Sequence, residues 1–144
     1  NVDGIGRETS ALSSTDLEIS VLTQLVENKL IAKELKKEID KNLNLLVQSK
    51  IKRFNEDLKF EEIAKTLYGL KPRDFEKEIL VPLVNQEILS GRRFLKGENI
   101  GSWLSETKKL SQVKIFSPEF IWENGEVRMK RKMVPTIGKY FSAV

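Results

Sequence analysis

Apolar residues recur three and four positions apart from about residue 15 to residue 110, and the texture then changes to short alternating runs. The first pattern passes through Leu22, Leu25, Val26, the stem of Lys29, Leu30 and Ile31 to Leu35, a helical stripe that must be buried against something. Thr15 followed by Glu18 makes a capping box and sets the expected start of that helix. Asp40, Asn42 and Asn44 prefer caps and turns, so a break is expected over residues 38–42, before a second helix carrying Leu43, Leu46, Val47, Ile51 and Phe54. A third, short helix is expected from about Lys59 to Leu67, with Asp57 as its cap and Gly69 as its left-handed stop. Pro72 suits the first turn of a fourth helix, whose apolar positions are Phe75, Ile79, Leu80, Leu83, Val84 and Ile88. Pro82 is expected to kink it and Gly91 to end it. Ser102 is expected to cap a fifth helix that carries Trp103 and Leu104 to Leu110.

Beyond Leu110, Val113, Ile115 and Phe116 suggest a short strand. Phe120-Ile121-Trp122 and Val127-Arg128-Met129 flank Asn124-Gly125, a pair that favours the tight turn of a β-hairpin. The chain therefore reads as mainly α, with about five helices and a small C-terminal β-hairpin. Residues 1–14, rich in Gly, Ser and Thr, read as a flexible leader, residues 15–132 as the folded domain, and residues 133–144 as a C-terminal tail ordered only through docking.

A chain of 144 residues has the usual length of one domain, and 40% hydrophobic with 32% charged residues is the balance of a folded, well-solvated protein. The longest apolar runs, such as Ile79–Val84, fall far short of the roughly 20 residues that span a bilayer. Neither a charged n-region nor an apolar h-region stands at the start. Without cysteine there is no thiol nucleophile, and without histidine the commonest general base and transition-metal ligand are missing. Glu61-Glu62 and Glu76/Glu78 sit one and two positions apart on helices, where side chains do not face each other. The glycines fit no phosphate-binding loop. No catalytic residue, cofactor or metal site is expected.

The string from Val21 to Lys37, with Leu22, Leu25, Leu30, Ile31 and Leu35 on its spacing, resembles the first chaperone helix of SurA-like proteins. Thr66-Leu67-Tyr68-Gly69-Leu70-Lys71-Pro72-Arg73-Asp74-Phe75, then Val81-Pro82-Leu83-Val84 and Glu87-Ile88-Leu89, are similar to the same family in the same order, over roughly residues 16 to 93. The resemblance implies the helical substrate-holding module of SurA-like and trigger-factor-like chaperones, which cradles unfolded chains without ATP. It also implies an extracytoplasmic setting, reached through a signal or anchor that this sequence does not show. The chain departs from members that carry a parvulin-type prolyl isomerase domain, because that active site uses histidines.

Two functions follow as expectations. The first is binding of unfolded or extended polypeptide segments in a groove between helices, with Leu46, Ile51, Phe54, Leu83 and Ile88 as candidate lining; the competing reading for each is intramolecular core. The second is a structural subunit that docks on one dedicated protein partner through its hairpin and tail. Trp103, Trp122, Phe116 and Phe120 read as packing residues rather than a recognition surface. A net charge of +4, from 25 basic and 21 acidic residues, is mild. Its densest run, Arg128, Lys130, Arg131 and Lys132, is a candidate patch for an anionic partner, although four charges are a small footprint for nucleic acid and alternation at a strand end also suits a guarded edge.

Overall fold

The computed structural model describes residues 13–57 and 60–130. Most of the expected leader, the whole tail, and Arg131 and Lys132 of the basic run lie outside them. Among the described residues the chain is mainly helical, with one antiparallel hairpin near the C-terminus. The helices are α1 (Ser14–Ile39), α2 (Leu43–Asp57), α3 (Phe60–Tyr68), α4 (Pro72–Phe75), α5 (Val81–Leu95) and α6 (Ile100–Leu110), and the strands are β1 (Phe120–Glu123) and β2 (Glu126–Met129). A 3-10 turn, Asp40–Asn42, links α1 to α2, and a π-helical stretch, Glu76–Leu80, carries α4 directly into α5.

The ends of these elements show local chemistry at work. Ser13 Oγ accepts the Asp16 N–H at 3.1 Å, so α1 is capped two residues before the expected Thr15. The break after α1 falls where it was expected: Asp40 takes φ 57°, a left-handed conformation that Asp tolerates and that ends the α-helical run. Asp57, expected as a cap, is the last residue of α2, and the expected helix start at Lys59 lies outside the described residues. Gly69, at φ 62°, stops α3, and its N–H donates to Lys65 O at 3.2 Å. Pro72 opens α4 in its first turn, where its missing N–H leaves no intrahelical bond unmade.

Pro82 lies in the first turn of α5, immediately after the π-helical stretch. There Val81 N–H donates to Glu76 O, five residues back, so the wider spacing absorbs a proline that an uninterrupted α-helix would resist. Gly91 does not end this helix. It lies in the helical interior, and the stop is Gly97, at φ 74°. Glu98 N–H donates to Arg93 O at 2.8 Å and Gly97 N–H to Phe94 O at 2.9 Å, the paired bonds of a Schellman end. Asn99, rather than Ser102, caps α6: its Oδ1 accepts the N–H groups of Gly101 at 2.7 Å and Ser102 at 3.2 Å.

The residues divide into two compact units, Glu27–Leu104 and a second drawn from the chain up to Val26 and from Ser105 onward. In the first, Ile31 and Leu35 of α1, Val47 and Ile51 of α2, Ala64 of α3, Phe75, Leu80, and Val84, Ile88 and Leu89 of α5 form a continuous apolar core. Ile100, Trp103 and Leu104 pack against it from the start of α6. Burying a large aliphatic side chain contributes about 1.5–3 kcal/mol, so these residues, far more than helix propensity, hold the helices together.

In the second unit, β1 pairs with β2 from Phe120↔Met129 to Glu123↔Glu126. Asn124 and Gly125 turn the chain with φ 53° and 77°, both left-handed, as a two-residue primed turn requires. A Cβ on Gly125 would also lie 3.0 Å from Lys109 N, so glycine is required there twice over. Trp122 Nε1–H donates to Ser111 O at 3.1 Å, and Phe120 and Val127 are buried. Residues 111–117 do not form the expected strand. Val113 and Ile115 are half-buried and alternate with exposed neighbours, as in a strand, but among the described residues no ladder partner pairs with them.

Candidate functional site

Helices α2 and α5 lie against each other in the unit Glu27–Leu104. Each has an inward face and a face that borders a groove. On α2, Val47 and Ile51 point into the core, and Phe54 packs partly against it. Leu46, Lys50, Arg53 and the edge of Phe54 border the groove. On α5, Val84, Ile88 and Leu89 fill the core, while Leu83, Glu87, Gly91, Phe94 and Leu95 border the groove. The spacing from Leu83 through Glu87 and Gly91 to Leu95 is four residues at each step, which keeps these positions along one side of the helix.

The larger end of the groove, about 520 Å³, is lined chiefly by Leu46, Ile88, Gly91, Phe94 and Leu95. The other end, about 320 Å³, lies between Phe54 and Leu83. Between them Lys50 Nζ meets Glu87 Oε1 at 3.3 Å, an ion pair across the groove whose partners both remain partly solvated. Leu46 stays 38% exposed, Leu83 49%, Phe94 78% and Leu95 86%. Scattered exposed leucines are ordinary, but large apolar side chains gathered along one concave surface mark an interaction site.

Gly91 forms part of the groove lining, and a Cβ built there would meet nothing within 4 Å. Glycine inside a helix costs roughly 0.5–1 kcal/mol relative to alanine. Neither backbone conformation nor crowding within the protein demands it. What it does provide is bare backbone at the apolar end, where another side chain can approach closely.

The expected lining residues thus separate. Leu46, Phe54 and Leu83 border the groove, and Ile88, only 6% exposed, reaches it as floor while belonging to the core. Ile51, 1% exposed, is wholly core. Gly91, Phe94 and Leu95 were missed because Gly91 reads as a helix stop, which puts the two large apolar residues beyond the helix. Gly97, a second glycine six residues on, is the signal in the sequence for the later stop; beside it Glu98 donates its N–H to Arg93 O and accepts a bond from Arg93 Nη1 through its carboxylate.

Behind the groove α5 is anchored by Arg93. Its Nη2 donates to Glu38 Oε2 at 2.7 Å and Glu34 Oε1 at 3.0 Å, its Nη1 to Glu98 Oε2 at 3.0 Å, and the guanidinium lies 5.2 Å from the centre of the Trp103 ring. Burial opposes the charge on Arg93, but its three carboxylate partners outweigh it and raise the pKa. Burial likewise pushes the Glu38 carboxyl up. The hydrogen bond from Arg92 and the charges of Arg93 and Lys96 overcome this and hold it below the usual carboxylate range. Arg92, whose Nε donates to Glu38 Oε1 at 3.2 Å, also borders the groove, so the anchor and the groove share a side chain.

No family model, curated protein or solved structure matches the chain. The site is therefore read from its own chemistry. Among the described residues no acidic cluster is arranged to hold a metal ion, and no helix is long and apolar enough to cross a membrane. Of the basic run, the Arg128 side chain is engaged by Glu126 on its own strand at 3.1 Å, and Lys130 is held at the strand end by its backbone N–H, which donates to Glu119 O at 2.8 Å. Trp103 and Phe120 are packing residues, whereas Phe116 stands 90% exposed with Lys114 Nζ 5.3 Å from its ring centre.

Proposed function

We propose that the chain is a non-enzymatic, ATP-independent binding module that holds unfolded or extended polypeptide segments by their apolar side chains in the α2/α5 groove. The observation that carries this reading is the row of large apolar side chains, Leu46, Leu83, Phe94 and Leu95, open to solvent along a groove between two packed helices. An open groove with several apolar contact points suits adaptable, low-specificity binding better than an enclosed pocket does. The likeness of residues 21–37 and 66–75 to SurA-like chaperones supports the same reading, and with it an extracytoplasmic setting.

The test is suppression of aggregation of an unfolded, unrelated protein at low and at high salt. Apolar contact is not screened by salt, so suppression should persist at both. It should fall sharply in a double variant, Phe94→Ser with Leu95→Ser, that remains as stable as the parent. Absence of suppression by the parent, or full suppression by the double variant, would overturn the reading.

A second reading, docking on one dedicated partner, is favoured by Phe116, an aromatic left open beside the hairpin. Under that reading Phe116→Ser abolishes capture of the partner while the groove variants leave it unchanged.

A further inference from the structure

The groove carries charge as well as apolar surface, and the charge is one-sided. Its lining includes the cations Lys50, Arg53 and Arg92 against the single carboxylate of Glu87. Lys50 is paired with Glu87 and Arg92 with Glu38, whereas Arg53 has no ion-pair partner among the described residues. The free positive charge therefore lies beside Phe54, in the stretch of the groove lined by Lys50, Arg53, Phe54 and Glu87.

The spacing of the apolar stations at the groove's two ends sets a length. Leu46 at one end and Phe54 at the other are separated by eight residues of α2, about 12 Å of helical rise. In an extended chain, side chains on one face recur every second residue, and positions i and i+4 lie about 13 Å apart. Position i+2, on the same face, then falls opposite the Lys50/Arg53 region. Gly91 leaves open space for a bulky side chain at the larger end.

Resting on the reading of the groove as a peptide-binding site, we infer that its preferred occupant is an extended polypeptide segment with bulky apolar residues at i and i+4 and a carboxylate at i+2. The apolar pair seats at the Leu46/Gly91 and Phe54/Leu83 stations, which are eight residues apart on each helix. The carboxylate between them meets Arg53 and the remaining donors of Lys50. Glu87 disfavours a close approach on its own side, which directs the acidic group toward α2. A basic residue at i+2 faces the same cations and is rejected.

Three fluorescently labelled peptides built around Leu-Ser-Asp-Ser-Phe, Leu-Ser-Asn-Ser-Phe and Leu-Ser-Lys-Ser-Phe test this by anisotropy titration against the full chain and its Arg53→Gln variant. An exposed charge pair of this kind is worth about 1.5-fold to fivefold in affinity. The expected order is Asp tighter than Asn by that factor and Asn tighter than Lys. The Asp preference should shrink in Arg53→Gln and at about 1 M salt, where charges are screened within roughly 3 Å. Equal binding of all three peptides would overturn the acidic preference and leave the groove reading standing. Binding of none would overturn both, and an Asp preference unchanged in Arg53→Gln would place the recognition elsewhere and overturn the assignment.

Discussion

On one side of α5, Val84, Ile88 and Leu89 are packed into the core, and Arg93 is tied to three carboxylates. On the groove side of the same helix, Leu83, Phe94 and Leu95 are open to solvent around a glycine with open space where a side chain would stand. The residue types barely differ between the two sides. What separates them is the neighbouring element: α1, α2 and the rest of the core close over one side, whereas on the other α2 presents Leu46 and Lys50 at the rim of a groove. Apolar residues on a helix thus serve stability or recognition according to what the fold lays over them. The two sides should respond oppositely to mutation.

The largest expected effect is on the core side. Leu89→Ala removes a side chain with no exposure and leaves a cavity, so stability measured by urea unfolding should fall by about 2–5 kcal/mol. On the groove side Phe94→Ser should change it by no more than about 0.5 kcal/mol, because that side chain is mostly solvated already. Comparable losses at the two positions would break the contrast.

Next comes Arg93. Arg93→Ala removes the cation that Glu34, Glu38 and Glu98 share, leaving Glu38 with Arg92 and Lys96, and should cost about 3 kcal/mol in the same assay. Lysine should restore only part of this, since a single ammonium cannot reproduce the forked contacts to Glu34, Glu38 and Glu98.

A smaller effect should appear with acid. The Glu38 carboxyl is held below its ordinary range in the folded chain, so its contribution is complete above that range. It is lost as pH falls from the ordinary carboxylate value toward the lowered one. Unfolding followed from pH 7 downward should show this loss in the parent chain, and Glu38→Gln, which cannot titrate, should flatten that part of the profile. A parent chain that gains stability over the same interval would contradict the ion-pair account.

The smallest effect sharpens the comparison most. Gly91→Ala should stabilise the free chain by about 0.5–1 kcal/mol, since its backbone is already helical and its Cβ has room. A loss of stability there would mean that the glycine serves the fold rather than the groove.

Much of the fold was legible because helices and the hairpin are written locally. Three-and-four spacing locates the helical runs, and Asn124-Gly125 locates the turn, since few residues accept two successive left-handed conformations. Errors fell where two residues competed for one local role. Ser13 caps α1 in place of Thr15, Asn99 caps α6 in place of Ser102, and Gly97 stops α5 in place of Gly91. Residues 113–116 have a strand's alternation, but a strand also needs a neighbour to bond with, and local pattern does not supply one.

The site was less legible. Leu46, Ile51, Phe54, Leu83 and Ile88 all sit at helical spacing, yet their exposure depends on how α2 and α5 meet, a property of tertiary packing. The Arg93 network, joining residues up to 64 positions apart from Glu34 to Glu98, has no local signature.

The central claim is that the α2/α5 groove is where polypeptide binds. Its most direct test is backbone and methyl NMR of the full chain titrated with an unfolded, unlabelled polypeptide. The account predicts shifts concentrated at Leu46, Phe54, Leu83, Gly91, Phe94 and Leu95, with little change at Val84 or Leu89 beyond propagation through the helix. Shifts concentrated instead around Phe116, Trp122 and Arg128, with the groove signals unmoved, would contradict it.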